Sequence, residues 1–278
     1  MTGILLRWLN HPAPMRSLAR KAVKAFSLFS YEDRLRFCAI DRPHYGHCLF
    51  EAAKLAARLN YPRISAIEFG CGGGNGLLCA EMPVSEIEKV CPVKFELYGF
   101  DSGEGLPAAN DYRDFPHYFN PGQFRMDVGE LRSRLKRAKI VIGNIGITCQ
   151  DFCEKYNPSP IGCILNDLDY YSSTRDSFEI FCADSKHFLP RVFMYFDDII
   201  GDNVWLPSEF TGELLAVHEF NCNNSTRKIA VNRAMPMIYP DQLWANQIYI
   251  YHDFKHPRYN DFVASDEQRS YEARIRLR

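Results

Sequence analysis

Residues 68–76 read EFGCGGGNG, directly after the apolar run Ile64-Ser65-Ala66-Ile67. The run has the make-up of a buried strand, and it passes through an acid into a turn of Gly70, Gly72, Gly73, Gly74 and Gly76. Glycine loses the most conformational freedom on folding, so such a turn persists where the backbone must approach something closely. The usual guest is a nucleotide-like cofactor lying over the carboxyl end of a parallel sheet. Spacing then discriminates among cofactors. A dinucleotide turn needs GxGxxG; counted from Gly70 its last glycine falls on Asn75, and counted from Gly72 on Leu77. The pattern that fits position for position is acid-x-Gly-x-Gly-x-Gly: Glu68, Gly70, Gly72 and Gly74.

Outward from this turn, strand and helix patterns alternate. Apolar spacing predicts a helix over 47–59, the first strand at 64–68, and a helix over 76–90 interrupted near Pro83. Further strands are expected at 94–100, 139–142, 161–165, 192–196, 228–232 and 247–252, with helices over 127–137, 173–187 and 207–220. Alternation of this kind specifies an α/β fold: a doubly wound, mostly parallel seven-stranded sheet with helices on both faces. The irregular stretch 110–124, NDYRDFPHYFNPGQF, is expected to be a loop covering the substrate.

Composition supports a full core, with 46% hydrophobic and 14% aromatic residues in 278. A net charge of −1 provides no global field toward nucleic acid or a membrane surface. The ten cysteines contain no CxxC pair and sit mostly in apolar stretches, as reduced core thiols do. No apolar run reaches the roughly 18 residues of a membrane span. The start of the chain carries Arg7, Arg16, Arg20, Lys21 and Lys24 with no acid before Glu32. Residues 15–29 are amphipathic at helical spacing. They are read as a basic surface helix or lid rather than a transit peptide, and the stretch 4–9 is too short for a secretory signal. Residues 1–60 are accordingly expected to form an N-terminal helical segment or lid, and 61–278 the cofactor domain, in a cytoplasmic protein.

Three further sites fall at strand ends, where such sheets bind ligands. Asp101, in Phe100-Asp101-Ser102-Gly103, can accept both ribose hydroxyls of a nucleoside or cap its own turn. Asp167 and Asp169 close the fourth strand, ahead of Ser173 or Thr174 as a helix cap. Asp197 and Asp198 close the fifth. Adjacent strand ends lie about 5 Å apart, so these carboxylates converge. A hard divalent cation, Mg²⁺ above all, would relieve their repulsion.

The glycine turn resembles motif I of the class I S-adenosylmethionine (SAM) methyltransferases, in which the turn passes under the methionine part of SAM. The segments DSGEGLP (101–107), Asp167-x-Asp169-x-Tyr171-x-Ser173-Thr174 and Asp197-Asp198 resemble, in the same order, those of the Mg²⁺-dependent macrocin O-methyltransferase family. The likeness runs from about 64 to 254; Gly103 departs from the family's usual aromatic. The resemblance implies a Rossmann-like fold binding SAM through Glu68, Gly70, Gly72, Gly74, Asp101 and Asn144. It also implies Asp167, Asp197 and Asp198 as metal ligands; a nearby base must then take the hydroxyl proton, and Asp167 can be that catalytic base as well as a ligand. His117, His187 and His218 are alternative bases, and Tyr45 a residue that could close over the methionine end. The expected activity is methyl transfer to a hydroxyl of a small sugar-like or natural-product acceptor. Two alternatives stay open: a non-catalytic SAM- or metal-binding protein, and an NAD-linked sugar-modifying enzyme. The acceptor and the oligomeric state are left open, a homo-oligomer included.

Overall fold

The computed structural model describes residues 14–25 and 28–264. Strands β1 (Arg63–Phe69), β2 (Lys94–Asp101), β3 (Lys139–Ile142), β4 (Ile161–Asn166), β5 (Phe188–Phe196), β6 (Arg227–Val231) and β7 (Ile248–Asp253) form one sheet in the order β3-β2-β1-β4-β5-β7-β6. Pairing is parallel from β3 to β5, while β7 runs antiparallel to β5 and to β6. The chain reverses strand order between β1 and β4, which opens a crevice at their carboxyl ends.

Period-two alternation sorts each strand between two cores. Ile64 and Ala66 of β1 pack with α3 (Pro43–Arg58) and α4 (Asn75–Val90), given that α1 spans Pro14–Ala25 and α2 Tyr31–Arg36. Ile67 and Phe69 join the opposite core with α6 (Ile145–Tyr156) and α8 (Gly212–Asn223); α5 spans Val128–Arg134, α7 Tyr171–Ser177 and α9 Met235–Ile238.

Several helix boundaries differ from expectation. α4 runs unbroken through Pro83, because burial of Ala80, Val84 and Ile87 outweighs the lost backbone hydrogen bond. α7 starts two residues before Ser173, so Ser173 and Thr174 lie inside it and cap nothing. The Thr174 hydroxyl donates instead to the Tyr170 carbonyl at 2.8 Å. α8 begins at Gly212 rather than at 207. The described part of the basic N-terminal segment is helical: Arg20 pairs with Asp241 at 2.6 Å, and Arg16 lies 4.6 Å over the Tyr239 ring. The stretch 4–9 and Arg7 lie outside the described residues. No described helix is long and apolar enough to cross a membrane.

His47, buried on α3 beside Tyr239 and Trp244, is held down to about 4 by burial. An unfolded histidine takes a proton below about pH 6.5. The stability owed to neutral His47 is therefore present above 6.5 and lost toward 4, at about 1.4 kcal/mol per pH unit. Glu68, pushed up by burial to about 7, slopes the other way, so the readout is a difference between proteins. Urea unfolding of His47→Phe should show a stability loss on acidification shallower than the native protein's by that amount; equal slopes would refute the assignment.

Candidate functional site

One cavity of about 1360 Å³ opens at the carboxyl ends of the central strands. It exceeds the roughly 300–1,000 Å³ usual for a single small ligand, leaving room for two reactants. Its wall combines Gly70, Cys71, Gly72 and Gly73 after β1 with Asp101 to Pro107 after β2. Gly143 and Asn144 follow from β3, Asp167 to Asp169 from β4, and Asp197 and Asp198 from β5.

The glycines are required for different reasons. A Cβ on Gly70 would stand 1.7 Å from the Asp167 carbonyl oxygen, so this glycine seats β1 against the end of β4. A Cβ on Gly74 would stand 2.3 Å from Leu131, and Gly74 does not line the cavity; its need is packing against α5. Gly72 has φ +46, and nothing lies closer than 3.7 Å to the place of its Cβ, which leaves its backbone open to a ligand. Gly73 likewise has nothing within 4 Å.

Glu68 does not line the cavity. Strand alternation turns it to the α3–α4 face with Ile64 and Ala66, where it is 2% exposed and accepts the Tyr45 hydroxyl at 2.6 Å. Tyr45 is thus an internal partner of Glu68 rather than a cover on the cofactor, and Arg42, three residues earlier, reaches the cavity instead. Asp101 does line it, yet its carboxylate already accepts three backbone N–H groups. Cys71 and Gly72 donate to Oδ2 at 3.0 and 2.9 Å, and Gly103 to Oδ1 at 2.7 Å. It therefore ties the β1 and β2 turns together, with one lone-pair direction of four remaining for a ribose. Asn144 caps α6 through the Ile147 N–H and also faces the cavity.

The β4 and β5 acids converge. Asp167, Asp197 and Asp198 each offer a carboxylate oxygen, and these oxygens lie within 4.8 Å of one another. Asp169 lines the same wall but is not one of the three; its N–H donates to Asp198 Oδ2 at 2.7 Å. The charges are unbalanced. Burial, then Asp197 and Glu68, pushes the Asp167 carboxyl well up; burial, then Glu213, does the same to Asp198. Three oxygen donors of this kind fit a hard cation, and the open Gly72–Gly73 backbone fits a cofactor passing over it.

Two supporting residues escaped sequence reasoning. The Tyr195 hydroxyl donates to Asp197 Oδ1, and Glu213 Oε2 accepts the Asp198 N–H at 3.0 Å. Tyr195 was within reach of the strand period, since it sits two residues before Asp197 on the same face. Glu213 gave no signal, because it comes from α8. These three histidines are elsewhere: His117, on the loop 110–124, contacts the Trp205 carbonyl, His218 meets Cys222 on α8, and neither they nor His187 line the cavity.

The loop 110–124 is packed rather than loose. Buried Asp114 accepts Ser172 N–H and Oγ–H at 2.8 and 2.9 Å, and Phe115 and Phe119 cluster with Tyr170.

No protein-family model matches the sequence, and no curated protein is significantly similar to it. Solved structures do resemble it. The O-methyltransferase NovP superposes with a TM-score of 0.52 at 11% identity, covering 77% of this chain and 81% of its own. The calicheamicin methyltransferase CalS11 gives 0.49 at 17% identity, over 87% and 93% of the two chains. At such identities likeness carries architecture alone. With the strand order and the antiparallel β7 described above, it leads to one conclusion: the chain shares the fold of the O-methyltransferase NovP.

Proposed function

We propose that the protein is a SAM-dependent O-methyltransferase that modifies a hydroxyl of a small sugar-like or natural-product acceptor with the help of Mg²⁺. The observation behind this reading is that one cavity joins an open glycine-turn backbone to three convergent carboxylates. Asp167, Asp197 and Asp198 would hold the cation. Gly70, Gly72, Asp101 and Asn144 would border the cofactor, with Glu68 and Gly74 supporting that wall from behind. When bound, SAM supplies a methyl group already activated on a sulfonium, and Mg²⁺ lowers the pKa of a hydroxyl it binds.

The chain's own task is then alignment and proton removal. Asp167, whose carboxyl is pushed up by burial and by its acidic neighbours, takes the hydroxyl proton. Tyr195 and Glu213 hold Asp197 and Asp198 in place. The loop 110–124, anchored through Asp114 to Ser172, limits water on the acceptor side. In this scheme the catalytic domain includes α3, whose Leu49, Ala52 and Ala56 pack in one core with Ile64 and Ala66 of β1.

Calorimetry with SAM and with NAD, each with and without Mg²⁺, tests the reading. It expects SAM to bind and NAD not to bind, with Mg²⁺ binding at a single site. Binding of NAD alone would overturn it. The raised Asp167 and Asp198 carboxyls add a pH dependence: protons compete for the ligand oxygens, so Mg²⁺ affinity should fall from the alkaline to the acidic end of a pH range. A pH-independent affinity across that range would argue against these ligands.

A further inference from the structure

We propose that Arg42 receives the carboxylate at the amino-acid end of the cofactor, an inference that rests on the methyl-transfer reading above. Arg42 stands on the cavity wall at the start of α3, beside the ends of β1 and β4. Its φ of 47° and ψ of 64° are left-handed, immediately before Pro43. Such a backbone is strained for a side-chain-bearing residue, and a following proline narrows it further. Strain of this kind is retained where surrounding structure holds a residue to a task.

The guanidinium has no hydrogen-bond or ion-pair partner among the described residues; it lies 4.9 Å from the Tyr45 ring centre, and the Glu68 and Asp167 carboxylates act on it at longer range. Tyr45 is itself locked by Glu68 at 2.6 Å, so the platform under Arg42 is rigid. A half-buried guanidinium with its donors unused and facing a cavity is arranged for an anion that binds through two oxygens. The rest of the wall is acidic, through Asp101, Glu104, Asp167, Asp169, Asp197 and Asp198. The other lining cation, Arg125, is exposed and follows the covering loop. SAM carries one anionic group, its α-carboxylate. In a cavity of this sign, Arg42 is the half-buried position that can accept it. A phosphate on the acceptor would present the same chemistry, and the experiment separates the two.

The test is calorimetric binding of S-adenosylhomocysteine (SAH) and of 5′-methylthioadenosine, which lacks the amino-acid end, to the native protein, Arg42→Gln and Arg42→Lys. Arg42→Gln should weaken SAH by roughly 10- to 100-fold, the range for losing a hydrogen bond to a charged group. Methylthioadenosine should change little, which also shows that the variant is folded, and Arg42→Lys should fall between. Unchanged SAH affinity, as expected if Arg42 serves an acceptor phosphate, would overturn the proposal and leave the methyl-transfer reading standing. Equal weakening of both ligands would overturn it as well. A native protein that binds neither ligand would defeat the parent reading and this proposal together.

Discussion

Asp167→Asn should reduce methyl transfer by roughly 10³-fold or more, the several kcal/mol that a metal-bound, deprotonated nucleophile contributes. The substitution keeps the side chain's shape and removes the charge. The residue sits where a cation ligand and a proton acceptor are both expected, within 4.8 Å of its partner carboxylates. Asp197 and Asp198 are already engaged, one by the Tyr195 hydroxyl and the other by the Asp169 N–H. Asp167 has no such support among the described residues, so its oxygens are available for both tasks. Mg²⁺ binding should weaken in parallel. SAH binding should stay within about threefold, since the glycine turn contacts the Asp167 backbone, which the change leaves alone. Two measurements decide it: Mg²⁺ titration, and transfer of labelled methyl from SAM to a panel of hydroxylated glycosides. Undiminished transfer in this variant, or indifference of the native protein to EDTA, would reduce the acidic cluster to a structural feature.

Gly70→Ala should cost roughly 3 kcal/mol of stability and abolish cofactor binding at once. The new Cβ would meet the Asp167 carbonyl oxygen at 1.7 Å, in a backbone with φ +78. A left-handed alanine costs about 1–2 kcal/mol, and forcing a methyl into a packed contact adds about 1–3 kcal/mol. The backbone on the other side of the clash follows directly on β4, so relief must part the ends of β1 and β4 and displace Asp167. Gly73→Ala is the control: it has no positive φ and nothing within 4 Å of the new methyl, and should stay within about 0.5 kcal/mol of the native protein. Denaturant unfolding and SAH calorimetry on the two variants give the comparison. Equal stability of the two would show that the β1–β4 contact yields easily and that Gly70 is not its keystone.

Much of the fold is legible in the sequence because it is written in local periodicity. Alternation at Ile64 to Phe69, the acids that end β2, β4 and β5, and the glycine turn each depend on residues close together in the chain. Local pattern alone therefore puts the glycine turn, Asp101 and the acids after β4 and β5 on one crevice, and the cavity wall contains them. What those side chains touch is decided in three dimensions. Glu68 looks like a cofactor acid in sequence, but the strand's pleat turns it inward to Tyr45. Gly74 looks like part of a ligand cradle, but Leu131 of α5 fills the space beside it. Asp101 reads as a ribose acid or a turn cap, and its three backbone donors come from two separate loops. Glu213 and Arg42 reach the site from α8 and from the start of α3, segments whose local patterns point only to helix. Periodicity reports which face of an element is apolar. It carries no record of which distant backbone will arrive at a given polar atom, and that arrival is set by how the helices close over the sheet.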